Sequence, residues 1–293
     1  MKLAIYGKAL DPENQATVKN LFGLLSEMNI SYCIEGGYFA KIRDLIHAEN
    51  PEVFLNREEL IRSNVDFLVS LGGDGTLLET LLLIQHSTIP VIGVNLGRLG
   101  FLSLVSKNEI PSALFDLQNG HFRLEKRTVL ELHSQKGLFT PCNFALNDFT
   151  IHKRDTGSMI SIETYLNGDY FNTYWADGIV VSTPTGSTGY SLSCGGPIIF
   201  PDSNNFVITP VAPHNLTVRP VIVPDTAIIS FKVKGRGANH LVSLDARYDK
   251  IEDINEIAVQ KADFLVNLVK LNNQNFINTL REKLKWGFDS RNL

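Results

Sequence analysis

The chain has 293 residues, 44% of them hydrophobic and 20% charged, which is enough for one large domain or two ordinary ones, each with its own core; two are expected. A formal net charge of -4 excludes a broad electrostatic grip on nucleic acid, which needs clustered Lys and Arg, and leaves a small molecule as the expected partner. Cys33, Cys142 and Cys194 show neither zinc-ligand nor CxxC spacing and read as free thiols of a reducing compartment, and with no run near the ~20 apolar residues that span a bilayer and no signal-peptide pattern at the start, the expected setting is the cytoplasm, away from membranes.

In chain order, Leu3 to Tyr6 predicts a strand, and Asp11-Pro12 predicts an N-cap followed by proline at the first helical position. A helix is expected from there to Met28, because Val18, Leu21, Phe22, Leu25 and Met28 recur at spacings of three and four and form one apolar stripe. Strands follow at Ser31 to Ile34, Val65 to Leu71 and Pro90 to Val94, with a helix from Thr76 to Gln85, so residues 72 to 75 join a strand to a helix. This alternation is that of a parallel sheet covered by helices.

After Gly120 the rhythm changes. Phe122 to Leu132, Ala145 to His152, Met159 to Leu166 and Tyr170 to Ala176 are β-type runs with no helical pattern between them, which predicts a separate, mostly antiparallel domain. Asn167-Gly168 favours positive φ at both positions of a two-residue turn and predicts a hairpin. Further strands are expected at Phe206 to Thr209, Ile228 to Val233, Leu241 to Leu244 and Phe264 to Val269, and Phe276, Leu280 and Leu284 mark a short C-terminal amphipathic helix.

Gly72-Gly73-Asp74-Gly75-Thr76 stands where an apolar strand ends and a helix begins. Glycines let backbone N–H groups approach phosphate oxygens, and a helix N-terminus favours negative charge. A carboxylate beside phosphates is electrostatically awkward, so Asp74 is expected to face a bound Mg²⁺ or an acceptor hydroxyl, both roles in phosphoryl transfer. A tight Asp-Gly turn capping the helix is the competing structural reading. Neither GxGxxG after a strand nor GxxxxGK[ST] occurs, and Gly93 to Gly100 reads as a glycine-rich turn shaping a loop. Asp177-Gly178 opens a strand that leads into the hydroxyl-rich run Ser182 to Ser193, whose short donors and acceptors suit a base edge or ribose, or an ordinary loop. Asn147-Asp148 offers an amide and a carboxylate to ribose hydroxyls, or a turn.

Taken together, GGDGT at Gly72 to Thr76, NLGxLGF at Asn95 to Phe101, Asn147-Asp148, DGxxxSTPTGSTxY at Asp177 to Tyr190, GGP at Gly195 to Pro197 and Thr209 to His214 resemble the NAD kinase family. The resemblance implies transfer of the γ-phosphoryl group of ATP, with Mg²⁺ or another divalent metal, to the 2′-hydroxyl of the adenosine ribose of NAD. It implies a Rossmann-like α/β domain at 1–120 carrying the GGDG loop, a β-rich NAD-binding domain at 121–274, and a helix at 275–293 returning to the first domain. NAD lies between the domains, and a homo-oligomer, dimer or tetramer, completes the site.

Carried over by position, Asp74 is the proton acceptor, with Gly75 at the dinucleotide. Asn147, Asp148, Asp177, Thr188, Gly189, Tyr190, Ser191, Leu192 and Ser193 hold NAD, and Thr185 and Ala212 line the site. No residue is assigned as a protein ligand of a metal. Three positions depart from the family pattern. Asp148 stands where Glu is usual, Leu244-Asp245-Ala246-Arg247 replaces Asp-Gly-Gln and offers Arg247 as a contact, and Trp175 replaces an arginine frequent in bacterial members. Trp175 lies two residues before Asp177 on the same strand face. It either packs or faces the nicotinamide, where an aromatic ring favours cationic NAD over neutral NADH. Lipid and sugar kinases also carry Gly-Gly-Asp-Gly loops, and a non-catalytic NAD-binding protein is the alternative outside enzymes.

Overall fold

In the computed structural model the described residues are 1–46, 50–97, 100–154, 159–234, 240–251, 254–272 and 274–286. The Asn95 to Phe101 motif lies outside them at 98 and 99, and the C-terminal segment does so beyond 286. The chain divides into two units, residues 1–125 with 267–293, and residues 126–266.

In the first unit the alternation of apolar runs and helical stripes produces a parallel sheet. Strands β1 (Lys2–Gly7), β2 (Ser31–Glu35), β3 (Glu52–Phe54), β4 (Phe67–Leu71) and β5 (Val91–Asn95) lie in the order β5-β4-β1-β2-β3, and β6 (Val105–Ser106) pairs with β5. Helices α1 (Gln15–Glu27), α2 (Gly36–Ile42), α3 (Arg57–Arg62), α4 (Asp74–Ile84) and α5 (Ile110–Asn119) cover it. The stripe Val18, Leu21, Phe22 and Leu25 of α1 joins Leu3, Ile5, Val69 and Leu71 of the sheet and Leu114 and Leu117 of α5 in one core. The other face belongs to α4, which comes so close that a Cβ on Gly93 would lie 2.9 Å from a methyl of Leu77. The chain therefore leaves β1 toward one face and β4 toward the other. A ligand crevice is expected where two neighbouring strands diverge in this way, outside their C-terminal ends.

Two boundaries differ from the sequence reading. A 3₁₀ turn at Pro12–Asn14 precedes α1, and the Asp11 side chain caps no backbone N–H. Helix α4 starts two residues before Thr76, because the Gly73 carbonyl already accepts from Thr76 and Leu77, which makes Asp74 part of its first turn.

The second unit is built from strands whose alternating residues point inward. Strand β7 (Phe122–Ser134) leads in, followed by β8 (Phe144–Ala145), β9 (Asp148–Lys153), β10 (Ile160–Leu166), β11 (Asp169–Ala176), β12 (Gly178–Ser182) and the short helix α6 (Tyr190–Ser193). Then come β13 (Asn205–Val211), β14 (Val221–Pro224), β15 (Ile229–Lys234), β16 (His240–Leu244), β17 (Arg247–Ile251) and β18 (Ile254–Leu271). An antiparallel sheet β14-β13-β12-β9-β16-β17 faces the run β11-β10-β15-β18. Phe149 of the first layer stacks on Phe231 of the second, with ring centroids 5.8 Å apart. The hairpin between β10 and β11 turns on Asn167 at φ 53° and Gly168 at φ 90°, the two positive values that Asn-Gly tolerates and most pairs do not.

Strand β18 runs on past the second unit. From Asn267 it is part of the first, because Leu268 pairs with Val91 of β5, whereas the sequence reading carried the β-rich domain to 274. Helix α7 (Phe276–Leu284) follows in the first unit, where it buries Thr279 and Leu280 and brings the Lys283 ammonium 5.9 Å from the centre of the Phe101 ring. No described helix is long and apolar enough to cross a membrane.

Candidate functional site

The loop after β4 is shaped by what its glycines avoid. Gly72 has φ 154°, and a Cβ there would lie 2.3 Å from the Thr76 hydroxyl, so the turn into α4 admits no side chain at this position. Gly73 is the extended N-cap residue and Asp74 sits in the first turn, where the helix dipole favours its charge. The carboxylate is partly buried. Oδ1 accepts the backbone N–H groups of Leu102 and Ser103 at 3.0 and 2.9 Å, and Oδ2 accepts that of Phe101 at 2.7 Å. To the expected metal or hydroxyl partner the structure adds three backbone donors from the next loop, which fix the partly buried carboxylate in place. A carboxylate has about four acceptor positions, so among the described residues one on Oδ2 stays open. Gly100 makes the fit possible, since a Cβ on it would lie 1.8 Å from Oδ1. Sequence reasoning gave the 93–100 run only a shaping role and missed the grip on Asp74. The Asn95 side chain accepts from Gly97 N at 2.7 Å and donates to Ser103 O at 3.4 Å, which ties the start of this run to the loop that carries the three donors.

In the second unit a network joins Asn147-Asp148 to the hydroxyl-rich run. The Asp245 carboxylate accepts from the backbone N–H groups of Leu146, Asn147 and Asp148 at 3.0, 2.7 and 3.2 Å, and Asp245 N donates to Asp148 O at 2.9 Å. Asp148 is buried, and loss of water together with the nearby Asp245 charge pushes its carboxyl up to about 7. Burial also raises Asp245, against the pull of its three amides and of Arg247. Thr183 stitches the two segments, its hydroxyl donating to Leu146 O at 2.5 Å while accepting from Gly186 N at 3.1 Å. Gly186 is required here, because a Cβ would lie 2.0 Å from Asn147 O. What the sequence presented as a loop is a 3₁₀ turn at Thr185–Thr188 followed by α6.

Around this network the sequence-assigned residues take distinct places. Buried Thr185 accepts from Arg127 Nη1 at 3.1 Å, and the Thr188 hydroxyl donates to Thr185 O at 3.2 Å. Gly189 comes within 3.8 Å of Asp148 Oδ2, measured from an added Cβ. Tyr190 lies on the surface with its ring 5.5 Å from that of His152, and burial, Cys194 and the Asp148 and Asp177 charges push its phenol up to about 12. Asp177 pairs with Lys153 at 2.6 Å. The Ser191 hydroxyl is buried against Thr209 Oγ1 at 2.9 Å, Leu192 is half-buried and Ser193 exposed. Ala212 adopts φ 45°. The Trp175 indole is 58% exposed, and Trp175 O accepts from His214 N at 2.8 Å. The Arg247 guanidinium donates to the carbonyls of Cys142 and Phe144 and lies over the Phe139 and Phe144 rings. Thr183 and Gly186, offered by the sequence only within the hydroxyl-rich run, and Asp245, noticed only as a departure from a motif, hold this network together.

Residues 5–122 match the ATP-NAD kinase N-terminal domain and residues 146–271 the ATP-NAD kinase C-terminal domain. The chain is 43% identical to the NAD kinase of Cytophaga hutchinsonii over 294 residues and 43% identical to that of Flavobacterium psychrophilum over 295, each covering 100% of both chains. Among solved structures, an NAD kinase from Archaeoglobus fulgidus in complex with ATP is 25% identical with a TM-score of 0.75, covering 97% of this chain and 99% of that one. Yeast NADH kinase complexed with NADH shares the fold at a TM-score of 0.87 and 23% identity, covering 98% of this chain and 88% of that one.

Proposed function

The chain belongs to the NAD kinase family, and from that membership we propose how its residues divide the work of its reaction, the phosphorylation of NAD to NADP by ATP. Asp74 is the proton acceptor. A carboxylate is a far weaker base than an alkoxide, so Asp74 does not ionise the 2′-hydroxyl in advance. It takes the proton on Oδ2 as the ribose oxygen bonds to the γ-phosphorus and the bond to the bridging oxygen breaks, releasing ADP. The observation that supports this role is a carboxylate fixed at the start of α4 by three amides, which among the described residues leaves Oδ2 one acceptor position.

The second unit's residues hold the dinucleotide in this reading. Asn147 presents its amide and Asp148 its carboxyl to ribose hydroxyls, while Thr188, Gly189 and Tyr190 edge the ligand. Ser191, with its hydroxyl taken by Thr209, contributes backbone and shape, and Ala212 does likewise. Arg247 supports the strand that delivers Asn147. Mg²⁺ would be carried in with the triphosphate, whose hard oxygens it prefers, and would offset the phosphate charge during transfer. We place the enzyme in the cytoplasm as a homo-oligomer.

The test is NADP formation from ATP, Mg²⁺ and NAD. Wild type is expected to make NADP, and Asp74→Asn to lose roughly 10² to 10⁴ in kcat with the KM for NAD little changed. An active Asp74→Asn removes the base assignment.

A further inference from the structure

Lys8 is the first residue after β1 at the point where the chain diverges to opposite faces of the sheet. The register pair Gly7–Leu71 sets it beside Gly72, where the Asp74 loop begins. Its ammonium lies 2.5 Å from Glu79 Oε1, and the Tyr6 hydroxyl donates to Glu79 Oε2 at 2.9 Å. Glu79 stands on α4, the helix that carries Asp74 in its first turn. Burial and the Glu79 contact push the Tyr6 phenol well above its ordinary value, so it remains a donor. Lys41 adds a second ammonium, which donates to the Lys8 backbone carbonyl. The other carboxylate near Tyr6, Glu35, is taken up by the first amides of α2.

An isolated exposed ion pair stabilises a fold very little, so the two-point clamp on Glu79 is better explained by what it aims. The Lys8 side chain remains 65% exposed, and an ammonium has two further donors once Glu79 has accepted one. We infer that Lys8, held by Tyr6 and Glu79 and joined by Lys41, binds the polyphosphate of the nucleoside triphosphate donor. A polyanion approaching a loop that carries a carboxylate needs fixed cations, and lysine binds phosphate as a point charge. This rests on the reading that transfer takes place at the Asp74 loop.

Steady-state kinetics on the full chain test it. Lys8→Met is expected to raise the KM for ATP about 10-fold or more, with the KM for NAD and the Tm unchanged, and Lys8→Arg to recover most of the loss. Tyr6→Phe, which loosens the clamp, raises the KM for ATP by a smaller factor at unchanged kcat. Tripolyphosphate, which carries phosphates without a nucleoside, is expected to inhibit Lys8→Met less well by the same factor as ATP is weakened. An unchanged KM for ATP in Lys8→Met, an equal rise in both KM values, or undiminished inhibition by tripolyphosphate overturns the inference. Full activity of Asp74→Asn in the same assay would instead remove the reading of the loop on which it rests.

Discussion

A carboxylate that accepts three backbone N–H groups orders the loop that orders it, so replacing Asp74 by Asn is not a silent removal of charge. The amide keeps one acceptor oxygen and turns an NH₂ donor toward a neighbouring N–H, so at least one of the bonds to residues 101–103 is lost. Alongside the fall in kcat, urea unfolding is expected to show about 1 to 3 kcal/mol less stability. Asp148 makes a prediction of opposite sign to the usual acid. Its folded-state value is raised from 3.8 to about 7, so the native chain holds this proton more tightly than the unfolded chain does. The stabilisation is complete below the unfolded value and is lost as pH rises toward the folded one, by up to about 4 kcal/mol. Urea unfolding from pH 4 to 8 should show wild type losing stability relative to Asp148→Asn up to pH ~7 and running parallel to it above; parallel curves throughout would refute the shift.

At the scale of elements, two glycines of one motif make different demands. A Cβ on Gly100 collides with Asp74 Oδ1, while a Cβ on Gly97 meets none of the described residues within 4 Å. Gly100→Ala is therefore expected to displace the carboxylate and lower kcat on the order of 10²-fold, and Gly97→Ala to leave kcat within about 2-fold of wild type. Equal effects in the two variants would show that the motif acts through backbone freedom rather than through this contact. The same contrast marks what was legible in the sequence. The stripe of α1, the apolar run of β4 and Asn167-Gly168 announce themselves because their signal is local. The short β3, α2 and α3 carry too few residues for a period to register. Thr185 to Ser193 looked like a loop because hydroxyl-rich sequences compete with helical hydrogen bonding, yet Thr183, Pro184 and Gly186 supply the partners that close a 3₁₀ turn. The position of Arg247 was legible in its motif, whereas its carbonyl partners more than 100 residues earlier were not. Asp245 escaped for the same reason, its closest amide partner lying 98 residues away.

For the molecule as a whole, a surface feature bears on assembly. Strand β11 ends its sheet among the described residues, and along it Tyr170, Phe171 and Trp175 are 62, 37 and 58% exposed. Edge strands are ordinarily guarded by charge, proline or cover, because their unpaired backbone invites another chain. An edge carrying three exposed aromatic side chains is instead suited to burial against a second copy, and Asp177, just beyond it, then lies near the boundary between protomers. Its pairing with Lys153 of the same chain fixes that carboxylate before any partner arrives. If the assembly completes the dinucleotide site, association and activity are coupled by mass action. Phe171→Asp, which adds a charge to this edge at a residue not assigned to the ligand, is expected to lower the mass measured by sedimentation and to make specific activity fall on dilution at concentrations where wild type is constant. Concentration-independent activity in a chain shown by sedimentation to be a monomer would establish that one copy holds the whole site.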